Sequence, residues 1–238
     1  GTASARVGNI KLSMMLRERL LSCHPTKTTY ILFGTEKYKK EVRQEFLRSP
    51  LMFGDFRMIE KEQYMYLGDM IDTRGMAGSV EATIMKRLGR IKGVMYEVAA
   101  IMSDPRMQAM GGMAGAWDIW ERSLIPSLLA ICGSWVGISR KAIELADEAQ
   151  NMYCRLIYSC PASTPKPVLR GEAGLLNCEH RIMLEKVCLV SRIMFCHTDE
   201  ENYAREVLEE QLRQGWKGLA QEVVEICQKI GLPNACLK

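Results

Sequence analysis

The sequence predicts an α+β fold that is mostly helical, because two kinds of pattern divide the chain. Short β-branched and aromatic runs beside turn glycines occur only in the first third, whereas every later apolar pattern has helical spacing. The chain has 238 residues, 47% hydrophobic and 25% charged, which is typical of a globular protein and excludes a disordered or collagen-like chain. We expect three parts: a small α+β piece with a hairpin over 1–74, a helical bundle over 75–160, and a helical extension over 161–238.

The first part contains the predicted strands. Apolar residues at helical spacing predict a helix over 7–21, and the run from Thr28 to Phe33 predicts a strand that ends at Gly34. Further elements predicted here are a short, largely solvated helix over 35–48 and two strands of a hairpin over 56–59 and 64–67.

One long amphipathic helix is predicted over 77–102, where Pro105 follows its end. Its apolar stripe consists of Val80, Ile84, Leu88, Ile91, Met95, Val98 and Met102. Gly111 and Gly112 begin a second helix, which is predicted to carry Trp117, Trp120, Leu124, Leu128 and Ile131 on one side. A proline-containing loop follows a third helix over 140–158, and later helices are predicted over 179–196, 200–214 and 218–230.

The charge is uneven along the chain. Residues 1–110 carry 18 basic and 12 acidic side chains, and the remainder carries 14 and 16, so the first half favours a nucleic-acid partner. Nine cysteines without a CxxC pair predict free thiols in an intracellular compartment, nuclear or cytoplasmic. The longest uncharged stretch, 123–139, is shorter than the roughly 20 apolar residues of a membrane span, so we expect no membrane partner.

Four cations lie close together on the long helix, and they are the candidate binding residues: Lys86, Arg87, Arg90 and Lys92. The apolar stripe faces the other helices, so we expect all four side chains to face outward. Such a group either contacts phosphates or forms an ordinary solvated face, and composition alone favours the solvated face.

No metal site or catalytic motif is predicted. Two cysteine–histidine pairs lack the paired short spacing of structural zinc ligands, namely Cys178 with His180 and Cys196 with His197. Asp69 and Asp72 offer two carboxylates for magnesium, but this spacing at a strand end is more typical of turn chemistry. The chain has no GxSxG, GxxxxGK[ST] or HExxH motif.

Several runs in order, over nearly the whole chain, match motifs of one polymerase family. They are His24–Thr28 with Ile31–Phe33, Tyr66–Gly68, Glu81–Ile91, Leu124–Trp135, Gln150–Leu175 and Glu209–Cys227. The first run resembles the Asn-x-x-Lys-Thr and strand motif of the palm, and the second resembles the Tyr-Leu-Gly primer grip. The third resembles the first thumb helix. The fourth and fifth resemble the following thumb helix and its continuation, and the sixth resembles the linker beyond the thumb. The family is that of the reverse transcriptases of LINE-like, non-LTR retrotransposons. His24 stands where the family has Asn.

The resemblance implies roles for particular residues. The primer grip corresponds to Tyr66, Leu67 and Gly68, and the duplex-binding helix to the four cations with Gly89 and Gly93. Glycine weakens a helix by about 1 kcal/mol relative to alanine, so these two glycines fit either a close backbone approach by a duplex or tight helix–helix packing. Lys27 matches the palm lysine that acts as general acid toward pyrophosphate in the full polymerase.

The family's Tyr/Phe-x-Asp-Asp motif and its upstream catalytic Asp do not occur in the sequence. Two-metal phosphoryl transfer needs such clustered carboxylates, so the resemblance implies a C-terminal palm, primer-grip and thumb portion without catalytic residues of its own. Its expected partners are an RNA template, an RNA–DNA or DNA duplex and the rest of the polymerase chain, with Mg²⁺ bound only in the full polymerase. The alternative is a helical protein-interaction module derived from such an element.

Overall fold

A computed structural model describes residues 24, 28–66, 68–195 and 203–232, and the backbone but not the side chain of Gln108. The chain divides into two compact units, one ending at Ser79 and the other beginning at Val80. The α+β class and the mostly helical content predicted from the sequence are confirmed. The helix predicted over 7–21 lies outside the described residues.

The first unit is built around helix α1, Glu36–Arg48. Thr35 begins this helix, because its side-chain oxygen accepts a hydrogen bond from the Tyr38 N–H and satisfies one of the free amides of the first turn. Val42 and Phe46 form a small core with Leu51, and Tyr30 packs edge-on against Phe46 with ring centroids 5.4 Å apart.

The described part of the first unit also contains three separate two-stranded pairings. Strands β1, Thr29–Tyr30, and β4, Ile59–Glu60, are parallel; β2, Met52–Phe53, and β3, Phe56–Arg57, are antiparallel; β5, Gln63–Tyr66, and β6, Asp69–Asp72, form a second antiparallel pair. The hairpin predicted from 56–59 and 64–67 is therefore wrong. Gly68 has φ +91°, which allows a tight turn to pair Tyr66 with Asp69 instead.

All regular elements described in the second unit are helices or helical turns. It begins within α2, Met76–Met102, which confirms the long amphipathic helix. The further helices are α3, Pro105–Ala109; α4, Gly112–Ile119; α5, Ile125–Leu128; α6, Arg140–Tyr158; α7, Lys166–Ala173; α8, Cys178–Met194; α9, Tyr203–Gln214; and α10, Leu219–Lys229.

The helix predicted from Gly112 to Ile131 is interrupted. A π-helical turn, Trp120–Leu124, joins α4 to α5, and the Ile125 N–H donates to the Trp120 carbonyl five residues earlier. Pro126 follows at once and has no N–H to donate, so a regular α-helical pattern cannot continue there. Ile131 then lies beyond the helix, exposed and with φ +55°, rather than on its apolar side.

The core described in this unit consists of 21 buried residues from α2, α4, the π-helical turn, α5 and the segment after it, α6 and the beginning of α8. The α2 stripe is buried as predicted, with Leu88 partly buried at its edge. Trp120 stacks on Tyr153 with centroids 4.9 Å apart, and the Tyr153 hydroxyl donates to the Ala116 carbonyl at 2.6 Å. Packing rather than base stacking accounts for these aromatic rings.

The last three helices, α8, α9 and α10, belong to the same unit. A short 3₁₀ turn, Cys132–Ser134, lies against α8, where a side chain on Gly133 would come within 2.8 Å of the Glu185 carbonyl oxygen. The C-terminal part of α8 forms a second cluster with α9 and α10, through Val190, Leu208 and Val223. None of the described helices is long and apolar enough to cross a bilayer.

Candidate nucleic-acid interface

The solvent-facing side of α2, here called the outer face, carries three of the four predicted cations. Lys86, Arg90 and Lys92 are exposed, and at about 100° per residue the first two lie on one flank of this face and Lys92 on the other. Gly89 and Gly93 are also exposed and lie between the two flanks. The outer face therefore has two glycines between its flanks, with two cations on one flank and one cation on the other.

The outward orientation expected for Arg87 is wrong. Its side chain is only 8% exposed, and its guanidinium donates to the carbonyl oxygens of Leu128 at 3.3 Å and Ala130 at 2.8 Å. The guanidinium carbon also lies 5.8 Å from the centre of the Trp135 ring. The Leu128 carbonyl belongs to the last residue of α5 and the Ala130 carbonyl lies two residues beyond it, where the carbonyls at a helix end lack intrahelical partners. Arg87 therefore anchors the α5 end to α2.

The sequence contained a signal for this burial. Arg87 lies three residues after Ile84 and four before Ile91, so it falls on the same apolar stripe. A cation on a buried stripe must reach a buried acceptor, because an uncompensated charge in a core is costly. The charge pattern alone grouped it with its exposed neighbours.

The two outer-face glycines have open space above them. A Cβ built on either Gly89 or Gly93 meets no atom within 4 Å among the described residues. No helix among the described residues packs tightly against them. Gly133 is the contrasting case, since the α8 backbone lies directly against it.

Apolar side chains share the outer face with the cations. Met85, Val94, Tyr96 and Ile101 are all more than 40% exposed. The charge pattern of the sequence did not indicate them as candidate site residues, although each lies three or four residues from another exposed position of the helix. A face that combines cations, glycines and apolar groups suits a partner that has both charged and flat apolar surfaces.

The residues that the family resemblance assigns to a primer grip lie in the first unit. Tyr66 ends β5 with its side chain 58% exposed, and Gly68 makes the turn to β6, while Leu67 lies outside the described residues. An exposed tyrosine beside a tight turn can stack on or hydrogen-bond to a ligand. Lys27 also lies outside the described residues.

The two aspartates of the hairpin do not converge. They are three residues apart on β6, so their side chains point to opposite faces of the strand. Asp72 is buried and acts in the turn, because it accepts hydrogen bonds from the Arg74 N–H at 2.7 Å, the Arg74 guanidinium and the Gln63 amide. The Arg74 hydrogen bonds hold the pKa of this carboxyl at about 2, well below its usual range.

The cysteines and histidines behave as ordinary side chains where they are described. Cys178 is buried while His180 is exposed, and Cys196 and His197 lie outside the described residues. Burial raises the pKa of Cys132 to about 12 and that of Cys154 to about 11, so neither thiol is poised as a nucleophile. Among the described residues, no group of three or more His, Cys, Asp or Glu side chains is arranged to hold a metal ion.

No family profile matches the chain, no curated protein is significantly similar in sequence, and no solved structure is significantly similar in fold.

Proposed function

We propose that this chain is a duplex-binding portion of a non-LTR retrotransposon reverse transcriptase, comprising the end of the palm, the primer grip and the thumb. The outer face of α2 carries the proposal. It has Gly89 and Gly93 in the open, with Lys86 and Arg90 on one flank and Lys92 on the other. The family resemblance suggests a duplex-binding function, and this arrangement of cations and glycines gives that function physical support.

The duplex is the partner whose geometry suits this face. An A-form-like RNA–DNA hybrid presents a wide, shallow minor groove between two phosphate backbones. The stretch of α2 at Gly89 and Gly93, which has no side chains in the middle of the outer face, can approach such a surface closely, and cations on both flanks can reach the phosphates of both strands. Exposed apolar groups such as Tyr96 can then contact sugars. Binding of this kind depends on shape and charge, so we expect little sequence preference.

The chain alone should not polymerise DNA. Two-metal phosphoryl transfer needs clustered carboxylates, and the only aspartates flanking the primer-grip turn, Asp69 and Asp72, lie on opposite faces of β6. Given primer–template, deoxynucleotides and Mg²⁺ or Mn²⁺, the purified chain should extend no primer above background. Incorporation that survives rigorous purification would contradict this part of the proposal.

The binding test is a titration of a labelled RNA–DNA hybrid at several salt concentrations. Each neutralised phosphate contributes about 0.7–0.9 to the slope of log affinity against log salt. The double variant Lys86→Glu and Arg90→Glu should bind more weakly on every hybrid sequence and reduce the slope by roughly 2. Arg87 is left intact because it is an anchor within the core.

A matched control uses two exposed arginines outside α2. Arg205 and Arg213 lie on α9, where they pair with Glu209 and Glu210. Reversing both to Glu changes the net charge equally, so it should weaken hybrid binding much less than the α2 double variant. Equal losses in the two variants would show a general charge effect and contradict binding at the outer face.

The exposed apolar groups favour a second candidate, a helical protein-interaction module derived from such an element. Met85, Val94 and Ile101 supply the apolar area that a protein partner buries. The same titration separates the two candidates. A wild-type chain that binds no hybrid even at low salt would reject the duplex-binding proposal and favour protein interaction.

A further inference from the structure

A cleft of about 570 Å³, here called the α1 cleft, lies in the first unit between helix α1 and strand β4. Its apolar walls are the side chains of Tyr30, Phe46, Leu47, Met58 and Ile59. This volume is within the range of small-ligand sites. The duplex-binding proposal does not use the α1 cleft.

Two of the apolar side chains in the cleft wall are open to solvent. Leu47, in the last turn of α1, is 74% exposed, and Ile59, on β4, is 57% exposed. Single exposed apolar side chains are common on protein surfaces. These two line the same concave surface, so a ligand with an apolar body can cover both of them at once.

Three charged side chains also line the α1 cleft, and two of them neutralise each other. Arg43 Nη2 donates to one Glu60 carboxylate oxygen at 2.7 Å, and Arg43 Nε donates to the other at 3.1 Å. A bidentate pair of this kind satisfies the Glu60 carboxylate. Arg57 is exposed and forms no ion pair or side-chain hydrogen bond among the residues that the structure describes. The cleft therefore keeps one positive charge for a ligand.

Tyr30 supplies a second donor in the same cleft. Its hydroxyl has no hydrogen-bond partner within the described part of the chain. Burial and the charge of Glu60 raise the pKa of this phenol, and the charges of Arg57 and Arg43 oppose the rise. The phenol is therefore protonated at neutral pH, so it can donate a hydrogen bond to an anion held by Arg57.

We propose that the α1 cleft binds a small carboxylate with an apolar body, of the size of a medium-chain fatty acid. The Arg57 guanidinium and the Tyr30 hydroxyl hold the carboxylate, because arginine binds carboxylates through two parallel hydrogen bonds. The alkyl chain covers Leu47 and Ile59, and each CH₂ group that it buries strengthens binding about fourfold. An inorganic anion lacks the apolar body, and a neutral alcohol or an amine lacks the negative charge.

The experiment is an NMR titration of the full chain, labelled at leucine and isoleucine methyl groups, with acetate, hexanoate, octanoate, octylamine and 1-octanol. Octanoate should shift the Leu47 and Ile59 signals saturably and leave those of the helical core, such as Ile84, unmoved. We expect octanoate to bind about tenfold tighter than hexanoate, 1-octanol or octylamine, and acetate not to saturate. Equal affinities for octanoate and octylamine, or no saturable shift of Leu47 and Ile59 at millimolar octanoate, would overturn the proposal.

A pair of arginine variants then assigns the carboxylate contact. Arg57→Gln should weaken octanoate binding about tenfold and leave 1-octanol binding unchanged. Arg48→Gln is the matched control, because Arg48 is exposed on α1 in the same unit but does not line the cleft; it should change neither affinity. Both arginines are exposed, so neither substitution should impair folding. Equal losses of octanoate affinity in the two variants, or none in Arg57→Gln, would overturn the assignment.

Discussion

The two compact units differ in the interactions that stabilise them. The difference is visible in the charged group that each unit buries. Among the residues that the structure describes, the first unit has a core cluster of three buried residues, and its hairpin is fixed by the buried Asp72 carboxylate with Arg74 and Gln63. The helical unit has a core of 21 buried residues, and its buried Arg87 pairs with backbone carbonyls and an aromatic ring. The first unit therefore depends on a titratable polar network, whereas the second depends on packing around a charge that stays fixed over all ordinary pH values.

The largest expected effect tests the buried cation of the helical unit. Arg87→Ala removes two charge-assisted hydrogen bonds and the contact with Trp135, and it leaves the Ala130 carbonyl without its donor. The free energy of unfolding should fall by about 3 kcal/mol. Urea unfolding followed by tryptophan fluorescence measures it, since Trp120 and Trp135 are in this unit.

The neighbouring cation provides the control for that measurement. Arg90 is exposed on the same helix, so Arg90→Ala should change stability by less than about 0.5 kcal/mol. Similar losses in the two variants would contradict the anchoring role of Arg87; helix propensity cannot cause such a loss, because alanine favours a helix at least as strongly as arginine.

The second prediction concerns the titratable network of the first unit. Its Asp72 carboxyl has a pKa of about 2 in the folded protein, below its ordinary value of 3.8. A depressed folded pKa stabilises the protein above the unfolded pKa, so the first unit should lose about 2 kcal/mol as the pH falls from about 4 through about 2. Asp72→Asn should lose a similar amount at neutral pH and show a flatter dependence.

Hydrogen exchange of peptides covering β5 and β6, corrected for the intrinsic pH dependence of exchange, measures this unit separately from the helices. Glu62→Gln is the control, because Glu62 is an exposed acid in the same region. A hairpin whose corrected protection does not change between pH 5 and pH 2 would contradict the role given to Asp72.

The third prediction tests the packing of the helical unit where two backbones approach each other. Gly133→Ala places a Cβ 2.8 Å from the Glu185 carbonyl oxygen, so the 3₁₀ turn or α8 must shift. Overpacking of this kind should cost about 2 kcal/mol. Gly171→Ala on α7 is the control, because its Cβ meets no neighbour and alanine favours a helix; thermal unfolding of the two variants should shift in opposite directions.

The helical unit was predictable from sequence where one strong period dominates. The α2 stripe and the span of α6 follow from helical spacing alone, because burial of one face enforces that period. The hairpin was not predictable from the sequence, because runs of similar β propensity compete for pairing. The backbone conformation of Gly68 decides the register. Helix α7 was missed because prolines indicated a loop, although proline at the first turn, here Pro167, is compatible with a helix.

The candidate site was predictable in part for the same reason. Lys86, Arg90 and Lys92 are exposed because they lie off the stripe, whereas Arg87 lies on it and is buried. The open space above Gly89 depends on which elements pack nearby, and that is a property of the three-dimensional arrangement.

The smallest expected change in stability gives the sharpest test of the outer face. Gly89→Ala and Gly93→Ala add a methyl group into open space on an exposed helix, so each should raise the free energy of unfolding by about 1 kcal/mol. The same methyl groups lie where the proposed duplex approaches most closely, so the double variant should bind an RNA–DNA hybrid more weakly while its net charge is unchanged. Gly171→Ala should stabilise the chain similarly without altering binding. Hybrid affinity that is unchanged in the double variant would show that the duplex does not contact these glycines.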